Sequence, residues 1–164
     1  MTRQEEIELI QSKQDIEEHN FKLYAEANGI TQYYFSPLSY SFDVIFLSAN
    51  TWFMAETKIR KDKAQEFFDK YGAMLELKKI EGMQTDQEKI LRKKGKVIPM
   101  LYFNFSADSL MIYQLQEKQN YKFDWRLLPK DNITPEVKIW KLVSNLFKPI
   151  QTITINGKEN GTNC

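Results

Sequence analysis

The segment FDVIFLSANTWFMAETKIR, residues 42–60, is rich in apolar and β-branched residues and has Ala49-Asn50 near its midpoint. This pattern predicts two strands, over residues 42–48 and 51–60, joined by a tight turn. The segment also contains three charged residues ahead of its terminal arginine: Asp43, Glu56 and Lys58. Charged side chains are rarely buried unless they pair with one another or bind a metal. These charges therefore indicate a functional site on the two predicted strands.

A turn centred on Ala49-Asn50 pairs residues whose numbers sum to 99, as those of Asp43 and Glu56 do. Residues that face each other across antiparallel strands have Cβ atoms about 4.5–5.5 Å apart. Side chains alternate between the two faces of a strand. One face of the second strand then carries Trp52, Met54, Glu56, Lys58 and Arg60. The other face, predicted to be the apolar packing face, carries Phe53, Ala55, Thr57 and Ile59.

Two carboxylates held this close repel each other, which raises the pKa of one of them unless a cation neutralises the pair. Mg²⁺, for which Mn²⁺ is a substitute, binds a few carboxylate oxygens together with waters and substrate phosphate. Lys58 beside the pair could orient or deprotonate an attacking water, or stabilise charge that develops on a phosphate. The arrangement indicates metal-assisted phosphodiester hydrolysis. The alternative is a Glu56–Lys58 pair on a solvated strand face, with Asp43 unrelated to it.

The rest of the chain alternates helical and strand patterns. The first helix is predicted over residues 3–27, followed by a strand over 31–36. A second helix is predicted from an Asp62 N-cap, with Gln65 completing a capping box, to about Lys79, and Gly82 is expected to end it. Residues 83–96 are expected to form a loop or a short exposed helix.

A hairpin is predicted over residues 97–105 and 109–115, and a last helix from Thr134-Pro135-Glu136 to just before Pro149. The order of elements predicts an α/β fold, an α+β sandwich with a central mixed β-sheet flanked by helices. We expect one domain over residues 1–155 and a polar tail over 156–164.

An aspartate, a gap of hairpin length and then Glu-x-Lys at the end of a strand resembles the PD-(D/E)XK nuclease superfamily. The resemblance covers roughly residues 5–105 and implies a restriction-endonuclease-like core with a magnesium site. It implies that Asp43 and Glu56 bind the metal and that Lys58 assists the attacking water. Phe42 replaces the proline of the motif, and Thr57 stands where an aliphatic residue is commoner. The Gln-x-x-x-Tyr signature of the exonuclease-like branch is missing, because Gln65 and Tyr71 are six positions apart.

Basic residues are concentrated directly after this motif. Residues 58–96 carry twelve basic and seven acidic side chains, whereas residues 1–30 carry three basic and seven acidic ones. Lysine and arginine clusters bind the phosphate backbone without reading its sequence. Eight residues are candidate nucleic-acid contacts: Arg60, Lys63, Lys70, Lys78, Arg92, Lys93, Lys94 and Lys96. The alternatives are a solvated helix face and, for Lys70 and Lys78, side chains that snorkel to an edge of the core.

The composition narrows the classes of function. No apolar run reaches the length of a membrane span, the N-terminus has no signal-peptide core, and the single Cys164 forms no internal disulfide, so we expect a cytoplasmic protein without a membrane partner. DNA is the expected substrate, RNA stays open, and a homodimer is expected if both strands are cut. Two alternatives remain: a non-catalytic nucleic-acid-binding member of this fold, and a small protein-interaction module.

Overall fold

The computed structural model describes residues 2–37, 40–71, 75–129, 137–143 and 149–154. Its helices are α1 (Arg3–Ala27), α2 (Ala64–Tyr71) and α3 (Leu77–Lys94), with a short 3₁₀ helix at Lys118–Asn120. Its strands are β1 (Tyr33–Phe35), β2 (Val44–Ser48), β3 (Thr51–Ile59), β4 (Met100–Phe105), β5 (Ser109–Gln114), β6 (Phe123–Pro129), β7 (Val137–Val143) and β8 (Gln151–Thr154). Six strands form one sheet in the order β1-β2-β3-β4-β5-β8, and β6 pairs with β7 separately. The predicted mixed sheet with helices is confirmed.

The hairpin of β2 and β3 has the predicted register, because Val44 pairs with Ala55 and Ser48 with Thr51. Ala49 and Asn50 form the turn with φ values of 48° and 62°. Positive φ at both central residues is the conformation that matches the twist of a two-residue hairpin. This register ends at Val44, because the Asp43 amide donates to the carbonyl of Ala55, the partner of Val44, at 2.9 Å. Asp43 is therefore offset by one residue from the predicted position directly opposite Glu56, as in a β-bulge.

Strand β3 lies inside the sheet, antiparallel to β2 and parallel to β4. Parallel neighbours need a long crossover, and here the connection contains α2 and α3. Both faces of β3 are buried. Ala55 packs with Phe21 of α1 on one face, and Met54 packs with Ile80 and Met83 of α3 on the other. The prediction that only the Phe53 face is a packing face is therefore wrong, because α3 covers the Glu56 face.

Helix α3 differs most from the sequence expectation. It continues through Gly82 to Lys94, so residues 83–94 belong to an 18-residue helix rather than to a loop or a short helix of their own, and α2 is a separate helix. Gly82 does not end the helix but makes room for its neighbour, since a Cβ at this position would lie 2.1 Å from Ser41 Oγ. The predicted cap is also different, because the first amide of α2, that of Ala64, donates to Asp108 Oδ1 at 2.9 Å.

Helix α1 has the predicted bounds, and its Thr2–Glu5 capping box satisfies its first amides. Only Phe21 and Ala25 are fully buried, so its N-terminal half is largely exposed to solvent. Within the described ranges, no helix combines the length and apolar character needed to cross a membrane.

The C-terminal part contains a strand where a helix was expected. Val137–Val143 is β7, which pairs antiparallel with β6 from Phe123↔Val143 to Pro129↔Val137. The predicted helix is wrong over these residues because the β-branched and aromatic sequence VKIWKLV also suits a strand, and a partner strand is available. The predicted helix start at residues 134–136 and the tail at 156–164 lie outside the described residues.

We expect Gly82→Ala to destabilise the protein by about 1–3 kcal/mol, because the new methyl group overpacks against Ser41. Urea denaturation measures this loss. Ser41→Gly in the same chain should restore most of the stability, since it removes the atoms that clash. Thr85→Ala, at an exposed position of α3, is the control and should change little. An unchanged midpoint in Gly82→Ala would show that α3 does not pack this closely on Ser41.

Candidate active site

The hairpin holds the two acidic residues side by side. Asp43 Oδ2 accepts a hydrogen bond from the Thr57 amide at 2.7 Å and another from the Thr57 hydroxyl at 3.1 Å. Thr57 is the residue between Glu56 and Lys58, so the middle position of Glu-x-Lys orients the opposing aspartate. This contact gives a physical reason for a threonine where an aliphatic residue was expected.

Glu56 is a carboxylate in the interior, with 1% of its surface exposed. Two ammonium groups lie against it: Lys58 Nζ is 2.8 Å from Oε1, and Lys79 Nζ is 2.9 Å from Oε2. These contacts are ion pairs, and neither oxygen accepts a hydrogen bond of ordinary geometry from the described residues. Both lysines reach solvent, with 36% and 29% of their side chains exposed. Glu56 is therefore a buried acid whose two neighbouring ammonium groups belong to side chains that extend to the surface.

The pKa of Glu56 is raised to about 7, chiefly by burial; Lys58 and Lys79 oppose the rise, and the nearby Asp43 carboxylate adds to it. For Lys58, burial favours the neutral amine, but Glu56, Glu17 and Asp43 together outweigh it and raise the pKa above its ordinary value. Lys58 is consequently an ammonium ion at neutral pH. In this state it can orient a water or stabilise negative charge, whereas it has no free electron pair with which to take a proton.

Lys79 was not predicted as a site residue, and the predicted second helix was expected to end at about this position. It belongs to α3, where Ile80, Met83 and Asp86 are buried. Besides Glu56, its Nζ contacts the carbonyl oxygen of Ser41 at 3.1 Å. The break between α2 and α3 changes the helical phase, so Lys79 faces the sheet and the predicted Lys78 is exposed.

Glu17 is a second residue that the sequence did not select. It comes from α1, on the other side of the sheet, and its Oε1 lies 3.9 Å from Lys58 Nζ. Burial raises its pKa, with Lys58 opposing that rise and Asp43 adding to it. A sequence signal existed, because Glu17 precedes the core residues Phe21 and Tyr24 by four and seven positions and so shares their helical face.

Helix α3 also positions the chain that leads to Asp43. The amide of Ser41 donates to Asp86 Oδ2 at 2.8 Å, its carbonyl accepts from Lys79, and its side chain fits against Gly82. Asp86 is 5% exposed, so this contact is well shielded from water. The aspartate two residues further on is thereby tied to α3 as well as to β3.

A cleft of about 350 Å³ opens beside these residues, between α1 and the segment after β1. At its inner end lie Asp43, Thr57 and Lys79. Its walls are formed by Gln11, Gln14, Glu17, Glu18, Phe35, Ser36, Pro37, Tyr40 and Phe42. The cleft gives a ligand direct access to Asp43 and Lys79, whereas Glu56 and Lys58 do not line it.

The predicted basic contacts are spread over the molecule. Arg60 is half-buried, donates to the Tyr102 hydroxyl at 3.0 Å and lies 4.6 Å from the Phe67 ring centre. Lys63 and Lys78 are exposed. The side chain of Lys70 lies outside what the structure describes. The exposed run Arg92, Lys93, Lys94 and Lys96 is at the end of α3, with Lys94 about 22 Å along the helix axis from Lys79.

The donor set fits a hard divalent cation such as Mg²⁺ in its chemistry. Asp43 and Glu56 bring carboxylate oxygens together, and those of Glu56 are held only by ion pairs to lysines that reach solvent. Across the described ranges, no group of three or more histidine, cysteine, aspartate or glutamate side chains is arranged to hold a metal. Two carboxylates with waters and substrate phosphate are nevertheless a usual magnesium arrangement. No family model and no curated protein matches the chain.

We expect Glu56→Gln to flatten the pH dependence of stability in metal-free buffer with a chelator. The folded protein binds the Glu56 proton more tightly than the unfolded chain does, because burial raises this pKa from 4.5 to about 7. Wild-type stability should therefore fall as the pH rises from about 4.5 to 7, by about 3 kcal/mol from this group. Chemical denaturation at pH 5 and pH 8 measures the loss, which should be much smaller in the variant.

The exposed Glu88→Gln provides the matched control, and its pH dependence should equal that of the wild type. Glu17, whose pKa burial also raises, is present in all three proteins, so the difference between them isolates Glu56. Equal pH slopes in wild type and Glu56→Gln would contradict the buried, protonatable state of this residue.

Proposed function

We propose that the protein is a metal-dependent nuclease of the restriction-endonuclease-like type, which hydrolyses phosphodiester bonds in DNA. The observation that carries the proposal is the cluster at the hairpin, where Asp43 accepts a hydrogen bond from Thr57, the residue after Glu56, and the Lys58 ammonium lies 2.8 Å from Glu56 Oε1. Carboxylates held side by side with a lysine next to them can supply a metal site and a cation for the reacting phosphate.

The topology supports the proposal. Helix α1 is followed by antiparallel strands, then by the α2–α3 crossover and a strand parallel to β3. The resemblance to the PD-(D/E)XK superfamily implies a core with the order helix, three strands, helix and strand, which matches except that two helices form the crossover here. The candidate residues lie on the hairpin before the crossover, as the family pattern requires. The order of the elements that carry the three residues therefore supports the proposal.

Each residue can be given a role from its surroundings. Asp43 and Glu56 would hold Mg²⁺, or Mn²⁺ in its place, and the Thr57 hydrogen bonds fix the orientation of Asp43. When bound, the metal supplies a Lewis acid for the phosphate and a more acidic water. Lys58, charged at neutral pH, would orient that water and stabilise charge on the phosphate. Lys79 would release Glu56 and remain near the phosphate, since its side chain reaches solvent.

A second candidate, a non-catalytic nucleic-acid-binding protein of the same fold, is favoured by one observation. Both oxygens of Glu56 already have lysine ammonium groups within 3 Å, at 2.8 and 2.9 Å. Internal cations can neutralise a buried acid permanently, as in structural ion pairs. This candidate predicts salt-sensitive binding with no cleavage and no response to metals.

A cleavage assay with Mg²⁺ or Mn²⁺ separates the candidates. The substrates are linear and circular duplex, single-stranded, flapped and junction DNA, with RNA alongside. We expect metal-dependent cutting that falls at least about 100-fold in Asp43→Asn, Glu56→Gln and Lys58→Ala. Asp15→Asn and Lys89→Ala, at exposed positions away from the acidic pair, are the matched controls and should cut like the wild type.

The melting temperature gives a readout that does not require turnover. At pH 8, Mg²⁺ should stabilise the wild type by binding only the folded protein, and it should not stabilise Asp43→Asn or Glu56→Gln. Cleavage that survives all three site variants would refute this assignment. Binding with neither cleavage nor metal stabilisation would establish the second candidate.

The basic end of α3 allows a separate prediction. If it contacts the phosphate backbone, replacing Lys93 and Lys94 together by alanine should weaken binding of all sequences and reduce the salt slope of log K by about two. Lys13→Ala, an exposed lysine of α1, should leave the slope unchanged. An unaltered slope in the double variant would show that these lysines do not contact the phosphate backbone. Their role would then be limited to a favourable interaction with the C-terminal end of the α3 helix dipole.

A further inference from the structure

The walls of the cleft beside the acidic pair carry different chemical groups from its inner end. Its inner end is charged, with Asp43 and Lys79, whereas much of its wall offers rings and amides. Tyr40 is 45% exposed, and its ring centre lies 5.3 Å from that of Phe42. Gln11 and Gln14 present amide groups from α1 on the same cleft.

We propose that this cleft receives one unpaired nucleotide next to the phosphate that is cut, so that the substrate has single-stranded character at that point. The inference rests on the proposed nuclease function and names its substrate class. Aromatic rings stack on any base, and glutamine amides both donate to and accept from base edges. These are the groups that hold a splayed-out base.

Charge favours one orientation of the nucleotide. Glu17 and Glu18 on the cleft wall repel phosphate, whereas Lys79, which lines the cleft, and Lys58, which contacts the other oxygen of Glu56, attract it. The sugar and base would then occupy the cleft, with the phosphate at the lysines. The neighbouring nucleotides of the nucleic-acid strand would continue out of the cleft toward solvent.

The size of the cleft excludes a base pair. A volume of about 350 Å³ is at the small end of ligand pockets, enough for a single nucleoside. A paired base would have to leave its partner and its stack to enter, at a cost of a few kcal/mol. Unpaired ends, flaps and single strands avoid that cost and should bind better than blunt duplex.

Binding can be measured without cleavage, with Ca²⁺ replacing Mg²⁺. The probes are a fluorescein-labelled 12-nucleotide single strand, a blunt duplex of the same sequence and the same duplex with an unpaired end, followed by fluorescence anisotropy. We expect the wild type to bind the two probes with unpaired nucleotides more tightly than the blunt duplex. Tyr40→Ala should weaken single-strand binding about 5- to 100-fold, the range for loss of one base stack.

Two further variants separate stacking from folding. Tyr40→Phe keeps the ring and its contact with Phe42, and should bind within about two-fold of the wild type. Tyr34→Ala is the matched control, since Tyr34 is an exposed tyrosine (63%) that stacks on Trp52 and does not line the cleft. It should also retain single-strand affinity. Gln14→Ala removes a side-chain amide of α1, on a different element from Tyr40, and should weaken single-strand binding as well.

The outcomes distinguish this proposal from the one on which it rests. Cleavage with equal affinity for all probes, unaffected by Tyr40→Ala and Gln14→Ala, would overturn the single-nucleotide cleft and leave the nuclease. Tyr40-dependent single-strand binding without cleavage in Mg²⁺ would support the cleft and overturn the nuclease. Failure to bind any probe would overturn both.

Discussion

The buried carboxylate of Glu56 is the constraint around which this structure is arranged. An ion taken out of water loses several kcal/mol of hydration, and only partners held at close range can offset that loss. Glu56 lies on an inner strand of the sheet, and the charges around it come from the same strand and from two helices. Lys58 follows it on the same strand, Lys79 comes from α3, and Glu17 of α1 adds a further charge near Lys58. The site therefore depends on all three layers of the fold.

The contacts that hold Asp43 also come from more than one element, although this residue is less buried than Glu56. Hydrogen bonds from Thr57 orient its carboxylate, and the backbone two residues earlier is held by Asp86 and Lys79 of α3. Such support from outside the reacting groups is what keeps a site within a few tenths of an ångström of its working geometry. Movement of α3 relative to the sheet would disturb both acids together, because Lys79 contacts Glu56 and Ser41.

The sequence predicted the parts of the site that local rules determine. A two-residue turn and alternation along the strand were sufficient to predict the register from Val44↔Ala55 to Ser48↔Thr51, whereas the one-residue offset at Asp43 was not foreseen. The positions of Glu17 and Lys79 in the site depend on how α1 and α3 pack on the sheet. The sequence of a single segment does not determine that packing. Helix α3 was missed because Gly82 and a dense set of charges resemble a loop, whereas the glycine serves a close approach to Ser41. Similarly, Val137–Val143 fits a helix or a strand, and pairing with β6 decides between them.

The separation along the chain between the pairing partners of β3 has a consequence for the order in which the site assembles. The β2–β3 hairpin closes over two residues, but the parallel pairing of β3 with β4 joins Met54 to Met100, 46 residues apart. Short loops close far sooner than long crossovers, so the two carboxylates meet while they are still hydrated. Glu56 loses its water only when α3 docks and brings Lys79 with it, whereas Asp43 stays partly exposed. The step that buries Glu56 is thus also the step that supplies its second ammonium group, and a folding chain does not have to pass through a state in which Glu56 is buried without a cation.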